Sequence, residues 1–233
     1  MITKEFSDQF DVLLTSYLRF KKFDDKEILD SIEINEYEKS IYLTKSQNNL
    51  VIELYSGRNI LNSSYEQTEE LRRYLSNLNT TEEIVVFTPV VGLSDNSVEC
   101  EISDNLLFIT HEQCKIQSDN VCIDDTWVGC TPIKRDEYNI IKDNPFKNNK
   151  VWRVDNTSNK VELISKHEIK AYKVSYIRKP VPIILEDITP YSIDGVTTVS
   201  ESELPTSLHE LILERAVQNA LQDIASKFSS KEN

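Results

Sequence analysis

Glycine is scarce in this chain, with only four among 233 residues, well below the usual share of about 7%. Loops that cradle nucleotide phosphates need clustered glycines, because only glycine lets the backbone approach the phosphates closely. Here the glycines are isolated, at positions 57, 92, 129 and 195. The sequence therefore excludes the common nucleotide-binding motifs.

Long apolar runs are also missing. No stretch approaches the roughly 18 apolar residues that a membrane-spanning helix needs. The N-terminus lacks the basic segment and apolar run of a signal peptide. We therefore expect no membrane partner, and we expect the chain to stay in the cytoplasm in which it is made.

Positive charge is in short supply. Lysine and arginine number 26 against 39 acidic residues, which gives a formal net charge of −13. Such a chain is repelled by DNA backbones and by anionic membranes. The densest basic run is Lys134–Arg135, which is too short for a DNA footprint. Solubility is the simplest explanation of the acidity, and stable DNA binding is not expected.

Metal-binding patterns are not found either. The four cysteines include no CxxC pair, and the histidines are not placed to complete a zinc site. We expect buried, reduced thiols, with a zinc site as the alternative; the cysteines are Cys100, Cys114, Cys122 and Cys130. Asp124 and Asp125 lie in a possible cation loop, but they lack the ligand spacing of an EF-hand. The sequence predicts no metal and no cofactor.

Catalytic patterns are equally absent. The histidines, His111, His167 and His209, have no partner at the spacing of a known site, and we expect His209 to be exposed in the first turn of a helix. Acidic pairs such as 69–70 and 82–83 arise by chance in an acidic chain. An enzyme built from scattered carboxylates would need them to converge in one pocket. We predict that the chain is not an enzyme.

Helical patterns fill the first 80 residues. Residues 4–20 carry an apolar stripe. Residues 35–57 read as one long helix that ends at Gly57. Ser64 and Gln67 form the pattern of a capping box that predicts a helix over 64–78. Near the C-terminus, a second such pattern at Ser207 and Glu210 opens a helix that is apolar over a wide arc.

Strand patterns fill the middle of the chain. Short β-branched and aromatic runs follow residue 80, and VWRVD-NTSN-KVELI predicts a hairpin. Residues 131–149 fit a short helix or a loop, and the fold and role of 111–150 stay open. The predicted fold is α+β: a helical bundle of residues 1–80 completed by 205–233, with an antiparallel β-sandwich or barrel-like domain inserted at 81–204.

Aromatic and aliphatic residues of the long helices are the candidate functional residues. Tyrosine suits an interface because it supplies a large contact area with few rotatable bonds. The alternative is that these residues pack the chain's own core. The candidates for an oligomer or bundle interface are Tyr37, Ile41, Val51, Tyr55, Leu213, Val217, Leu221 and Phe228.

The helical segments resemble a known family. EFSDQFDVLL, NEYEKSIYLTKSQNNLVIELYSG, SYEQTEELRRYLSNL, SYIRKP and ELPTSLHELILERAVQNAL occur in this order. Together they are similar to a virion structural protein of crAss-like phages, the tailed podoviruses of gut Bacteroidota. The resemblance covers roughly the first 80 and the last 60 residues, and it does not extend to 81–165.

This resemblance implies a ring or adaptor protein of the phage neck or tail. Such proteins stack below the portal, usually as twelve copies, extend the DNA channel and join head to tail. The expected partners are other copies, the portal and further ring proteins, with DNA only in transit past an acidic wall. The resemblance implies a location in the virion and no catalytic residue. The alternative is a non-virion interaction module, such as a scaffold or assembly chaperone.

Overall fold

The computed structural model describes residues 2–20, 34–58, 64–90, 97–118, 124–141, 150–157 and 159–229. The chain divides into two compact units. The helical unit comprises Met1–Leu78 and Pro180–Asn233, and the β unit comprises Asn79–Lys179. The predicted β domain ran to residue 204, whereas 180–204 belong to the helical unit, because helix side chains bind their backbone.

Five α-helices form in the described residues. They are α1 (Thr3–Phe20), α2 (Glu36–Ser56), α3 (Glu69–Tyr74), α4 (Arg135–Ile141) and α5 (His209–Ser229). A short 3₁₀ turn at Ser76–Leu78 follows α3, and another at Thr206–Leu208 precedes α5. Helix α4 lies in the stretch that the sequence left undecided.

Local signals set the ends of α2. The Asn35 side chain accepts a hydrogen bond from the Glu38 backbone N–H at 2.8 Å, and Glu38 Oε2 accepts one from the Asn35 N–H at 3.2 Å. This reciprocal capping satisfies two amides that have no partner within the helix. Gly57 ends the helix with a φ of 81°, in the left-handed region that favours glycine. The predicted helix at 35–57 is confirmed.

The helix predicted from Ser64 begins later than expected. Gln67 Oε1 does accept a hydrogen bond from the Ser64 N–H at 3.2 Å. The residues after Ser64 form only a turn, and α3 starts at Glu69. The prediction of a long helix over 64–78 was therefore wrong, because the Ser64–Gln67 contact closes a turn that does not continue.

The β unit contains one curled, eight-stranded sheet, a half-barrel. Its strands are β1 (Asn79–Ile84), β2 (Thr88–Pro89), β3 (Val98–Glu101), β4 (Leu106–Gln117), β5 (Thr126–Pro132), β6 (Val151–Asp155), β7 (Lys160–Ile164) and β8 (Glu168–Arg178). Their order is β1-β8-β4-β5-β6-β7-β3-β2. The α+β class is confirmed.

The chain connection explains the curl. Strands β1 and β2 lie at opposite ends of the sheet, yet only residues 85–87 join them. From Ile84 to Thr88 the chain can span at most about 14 Å. A flat sheet of eight strands would be about 34 Å wide. The sheet must therefore curl until its two edges approach each other at this corner.

The strand pairing departs from prediction in one place. The hairpin of β6 and β7 is antiparallel, as expected, with Arg153 opposite Leu163. Strands β5 and β6 are parallel, which corrects the prediction of an antiparallel domain. Parallel neighbours need a crossover of about a dozen residues or more. Residues 133–150, which include α4, supply that crossover.

Candidate assembly surface of the helical unit

Three sides of α2 are occupied within the helical unit. Helix α5 covers one side: the Ser46 hydroxyl accepts a hydrogen bond from Asn219 Nδ2 at 3.1 Å, and Glu53 pairs with Arg215 at 2.6 Å. These contacts lie about two turns apart along α2. They fix α5 beside α2 through polar groups at the rim of the apolar core.

Helix α1 covers a second side through a buried lysine. Lys39 Nζ lies 2.7 Å from Asp11 Oδ2 and 2.8 Å from Glu36 Oε1, and it donates to the Ser7 hydroxyl at 3.1 Å. Burial lowers the pKa of Lys39, but hydrogen bonds and charge from Asp11 and Glu36 outweigh burial and raise the pKa above its usual value. This buried lysine therefore ties the two helices together.

The third side of α2 binds extended backbone. Gln47 Nε2 donates to the Val181 carbonyl at 2.8 Å, and the Ser40 hydroxyl accepts from the Leu185 N–H at 3.1 Å. Between them, Thr44 bonds both backbone groups of Ile183. The spacing of 40, 44 and 47 puts these side chains on one helix face. Sequence analysis missed this role, although the polar i, i+4, i+7 pattern was there to be read.

Among the described residues, the fourth side of α2 is exposed, and it carries two apolar residues. Ile41 is 38% exposed and Ile52 is 44% exposed. Eleven residues separate them, so they point within about 20° of each other around the helix. Lys45 and Asn49 lie between them and are exposed. We call this side the α2 free face, defined by Ile41, Lys45, Asn49 and Ile52.

Two tyrosine stacks border the α2 free face. Tyr37 stacks on Tyr191 with ring centroids 5.1 Å apart, and Tyr55 stacks on Tyr65 at 5.5 Å. Both α2 tyrosines are half-buried. Stacking holds these rings in place at the two ends of the face, where a partner would meet rigid aromatic edges.

The predicted interface residues separate into two groups. Val51, Leu213, Val217 and Leu221 are buried in the core of the helical unit. Tyr37, Ile41 and Tyr55 lie on or beside the α2 free face. The side chain of Phe228 lies outside the described residues. Ile52 was not predicted, although its spacing from Ile41 identifies it.

The β unit has a buried cluster of three polar side chains on three strands. Glu112 Oε2 accepts a hydrogen bond from the Tyr172 hydroxyl at 2.8 Å and lies 3.1 Å from Arg153 Nε. Burial raises the pKa of Glu112, while the charge of Arg153 and the Tyr172 hydrogen bond oppose that rise. All three side chains are buried. The cluster links β4, β6 and β8.

The described cysteines are free thiols. Cys100 and Cys114 are buried, and burial raises the pKa of Cys100 to about 12. A hydrogen bond with Cys114, together with burial, raises the pKa of Cys130 well above its usual value. Because only the thiolate is nucleophilic, the raised pKa values of Cys100 and Cys130 disfavour the reactive form of these two thiols. Cys122 lies outside the described residues.

The remaining candidate groups bond within the protein. His209 is buried, contrary to expectation, because its Nε2–H donates to the Leu204 carbonyl at 2.9 Å and its ring lies 5.2 Å from that of Phe6. Asp125 pairs with Lys115 at 2.8 Å. Asp124 accepts from the Ser118 N–H at 3.0 Å.

Within the described part of the chain, no three histidine, cysteine or acidic residues are grouped to hold a metal ion. None of the described helices is long and apolar enough to cross a bilayer.

Exposed apolar residues also occur on the β unit. Val85 and Val86 lie at the corner between β1 and β2, Trp127 on β5 and Ile140 on α4. Lys173 Nζ lies 5.9 Å from the centre of the Trp127 ring, close enough for a cation–π contact. These residues give the β unit further positions at which another protein could bind.

Known proteins match the chain over nearly its full length. A family model described as phage tail ring protein 3/4 matches residues 1–232. The chain is 44% identical to "Ring protein 3" of Bacteroides phage crAss001 over 228 residues, which cover 95% of each protein. It is 30% identical to "Ring protein 4/5" of the same phage, over 94% of this chain and 92% of that relative. These matches confirm the resemblance that the helical segments indicated.

Proposed function

Because the chain belongs to the phage tail ring protein 3/4 family, we propose that copies of it form a closed ring in the tail of a crAss-like phage. The single observation that carries this proposal is the family match over residues 1–232. The relatives are structural ring proteins and not enzymes. The function is therefore assembly, and its chemistry is that of protein–protein contact.

The surface of the helical unit supports assembly. A ring of identical subunits needs a heterologous contact, in which one patch meets a different patch on the next copy. The α2 free face offers one such patch, because Ile41 and Ile52 gain from being covered. The contacts of α1 with α2 and α5 give that face a firm support, and we take these helices as the bundle expected from the sequence.

The sequence identities to the two relatives favour one position for this ring within the tail. The chain shares 44% of its residues with ring protein 3 and 30% with ring protein 4/5. We propose that it is the counterpart of ring protein 3. A family that includes two ring types within one phage fits a tail in which related rings stack on one another.

The finer role follows from the same proposal. In this proposal the ring stacks below the portal and contains twelve copies. DNA passes through the ring without binding. The net charge of −13 suits a wall that releases DNA. A channel surface that proved strongly basic would contradict this part of the proposal.

Native mass spectrometry is the test. The purified chain would be measured alone and mixed with the portal and neck assembly of its phage. A closed ring in either sample supports the function and counts the copies. If the chain stays a 27.0 kDa monomer in both samples and is missing from a protein inventory of purified virions, a scaffold or assembly chaperone replaces the ring.

A further inference from the structure

Helix α1 presents a second exposed face. Phe6, Phe10, Leu14 and Leu18 are buried in the core, and Val12, on the opposite side, is 69% exposed. Ile2, just before the helix, is 57% exposed. We call this side the α1 outer face, defined by Ile2, Glu5, Asp8 and Val12. Val12 also lines a groove, together with Asp11, Thr15, Ser16 and Arg19.

The two faces match in length. Ile2 and Val12 are ten residues apart, or about 15 Å along a helix. Ile41 and Ile52 are eleven residues apart, or about 16 Å. Each face is therefore a strip with an apolar residue near either end and polar residues between.

The polar centres of the faces are complementary in charge. Glu5 and Asp8 are exposed on the α1 outer face, and Lys45 is exposed on the α2 free face. Asp8 precedes Val12 by four residues, and Lys45 follows Ile41 by four. If the two helices lie antiparallel with Val12 opposite Ile41, Asp8 is therefore opposite Lys45.

The two faces also point away from each other in one copy. Lys39 turns toward α1, and Ile41 lies about 200° around α2 from it. The α1 outer face is opposite the core residues of α1. The two faces of one molecule therefore cannot contact each other. The α2 free face of one copy can contact the α1 outer face of another copy.

We propose that the α2 free face of each copy docks antiparallel against the α1 outer face of the next copy. This proposal rests on the proposed ring and names the surfaces that build it. The contact is heterologous, so it repeats from copy to copy and closes into a ring when the rotation allows. Pairing α2 with α2 would be isologous and would stop at a dimer.

A charge exchange tests the contact. Asp8→Lys and Lys45→Glu each place like charges together, and each should weaken the contact about tenfold or more. The double variant, with both changes in every copy, restores an opposite pair at each contact and should recover the ring. Lys150→Glu, the same charge change at an exposed position in the β unit, should leave the ring intact. Circular dichroism of each variant shows whether the chain is folded.

A cross-link gives an independent measurement. Val12→Cys and Ile41→Cys in one chain should form a ladder of disulfide-linked oligomers after mild oxidation, whereas either single change should not. The wild-type chain is the control, because it shows whether the native cysteines form disulfide-linked oligomers by themselves.

The outcomes separate the contact from the ring. If the wild-type chain forms rings and both single charge variants do too, the contact is overturned and the ring stands. The same holds if the double variant fails to recover the ring or if no ladder forms. If the wild-type chain forms no ring in any sample and is absent from virions, the proposed function fails and the contact fails with it.

Discussion

The Thr44 hydroxyl oxygen lies 3.1 Å from the backbone nitrogen of Ile183 and 3.2 Å from its carbonyl oxygen. One side chain thus accepts from and donates to the same residue. Both residues are buried, so water does not replace these bonds. Ile184, the next residue, pairs with Ser200 through backbone hydrogen bonds. The Thr44 contact therefore satisfies the backbone groups of Ile183 and fixes residues 181–185 against α2.

Thr44→Val should destabilise the protein by about 2 kcal/mol. Valine keeps the shape but leaves a buried N–H and a buried carbonyl without partners, at about 1–3 kcal/mol for each unsatisfied group. Urea unfolding measures the loss. Thr131→Val, at an exposed position of β5, is the matched control and should change stability little. Equal effects of the two substitutions would contradict the role of Thr44.

Gly57→Ala should cost about 1 kcal/mol, because the φ of 81° at this position strains any residue with a Cβ atom. Gly129→Ala is the control. A Cβ at Gly129 meets nothing within 4 Å, and its φ is not positive. Thermal unfolding should separate the two variants, and a loss confined to Gly129→Ala would refute the assignment of Gly57 as the helix cap.

Arg153→Met should destabilise the β unit by about 3 kcal/mol, because it leaves the buried carboxylate of Glu112 without the guanidinium beside it. Arg153→Met combined with Glu112→Gln should cost less than Arg153→Met alone, since no buried carboxylate then lacks its partner. Urea unfolding of both variants and of Glu112→Gln completes the cycle. Additive losses would show that the two residues do not interact.

The pKa of Glu112 also gives a pH dependence. Because burial raises the pKa of Glu112 in the folded protein above its ordinary value of 4.5, the folded state holds this proton more tightly than the unfolded chain. The contribution of Glu112 to stability therefore declines as the pH rises from about 4.5 through the folded pKa. The Gln variant should lack this decline.

His209 should make stability depend on pH in the opposite direction. Burial lowers its pKa below the usual 6.5, although the Leu204 carbonyl opposes this. The unfolded chain therefore binds the proton more readily, and stability is lost as the pH falls below 6.5 through the folded pKa. His209→Gln keeps an N–H for Leu204 but does not titrate. Urea unfolding at pH 7.5 and pH 5.5 should show a smaller loss for the variant, and equal losses would refute the prediction.

Several features could be read from the residues one segment at a time. Gly57 indicated the C-terminal end of α2, because helix capping depends on neighbours within one turn. The β6–β7 hairpin followed from two short strands and a polar turn. Ser64 and Gln67 misled, because the same local contact can close a turn without starting a helix. The burial of His209 could not be foreseen, since its partners Leu204 and Phe6 are brought together by the fold.

The sequence by itself determined the α+β class, the family and the limits of the long helices, because these depend on composition, residue order and local hydrogen bonding. Only the tertiary structure decided which sides of α2 are covered. Its polar residues Ser40, Thr44 and Gln47 are buried, while Ile41 and Ile52 are exposed. Helical periodicity shows which residues share a side. Whether a polar side is buried depends on whether a distant segment brings backbone groups to satisfy it.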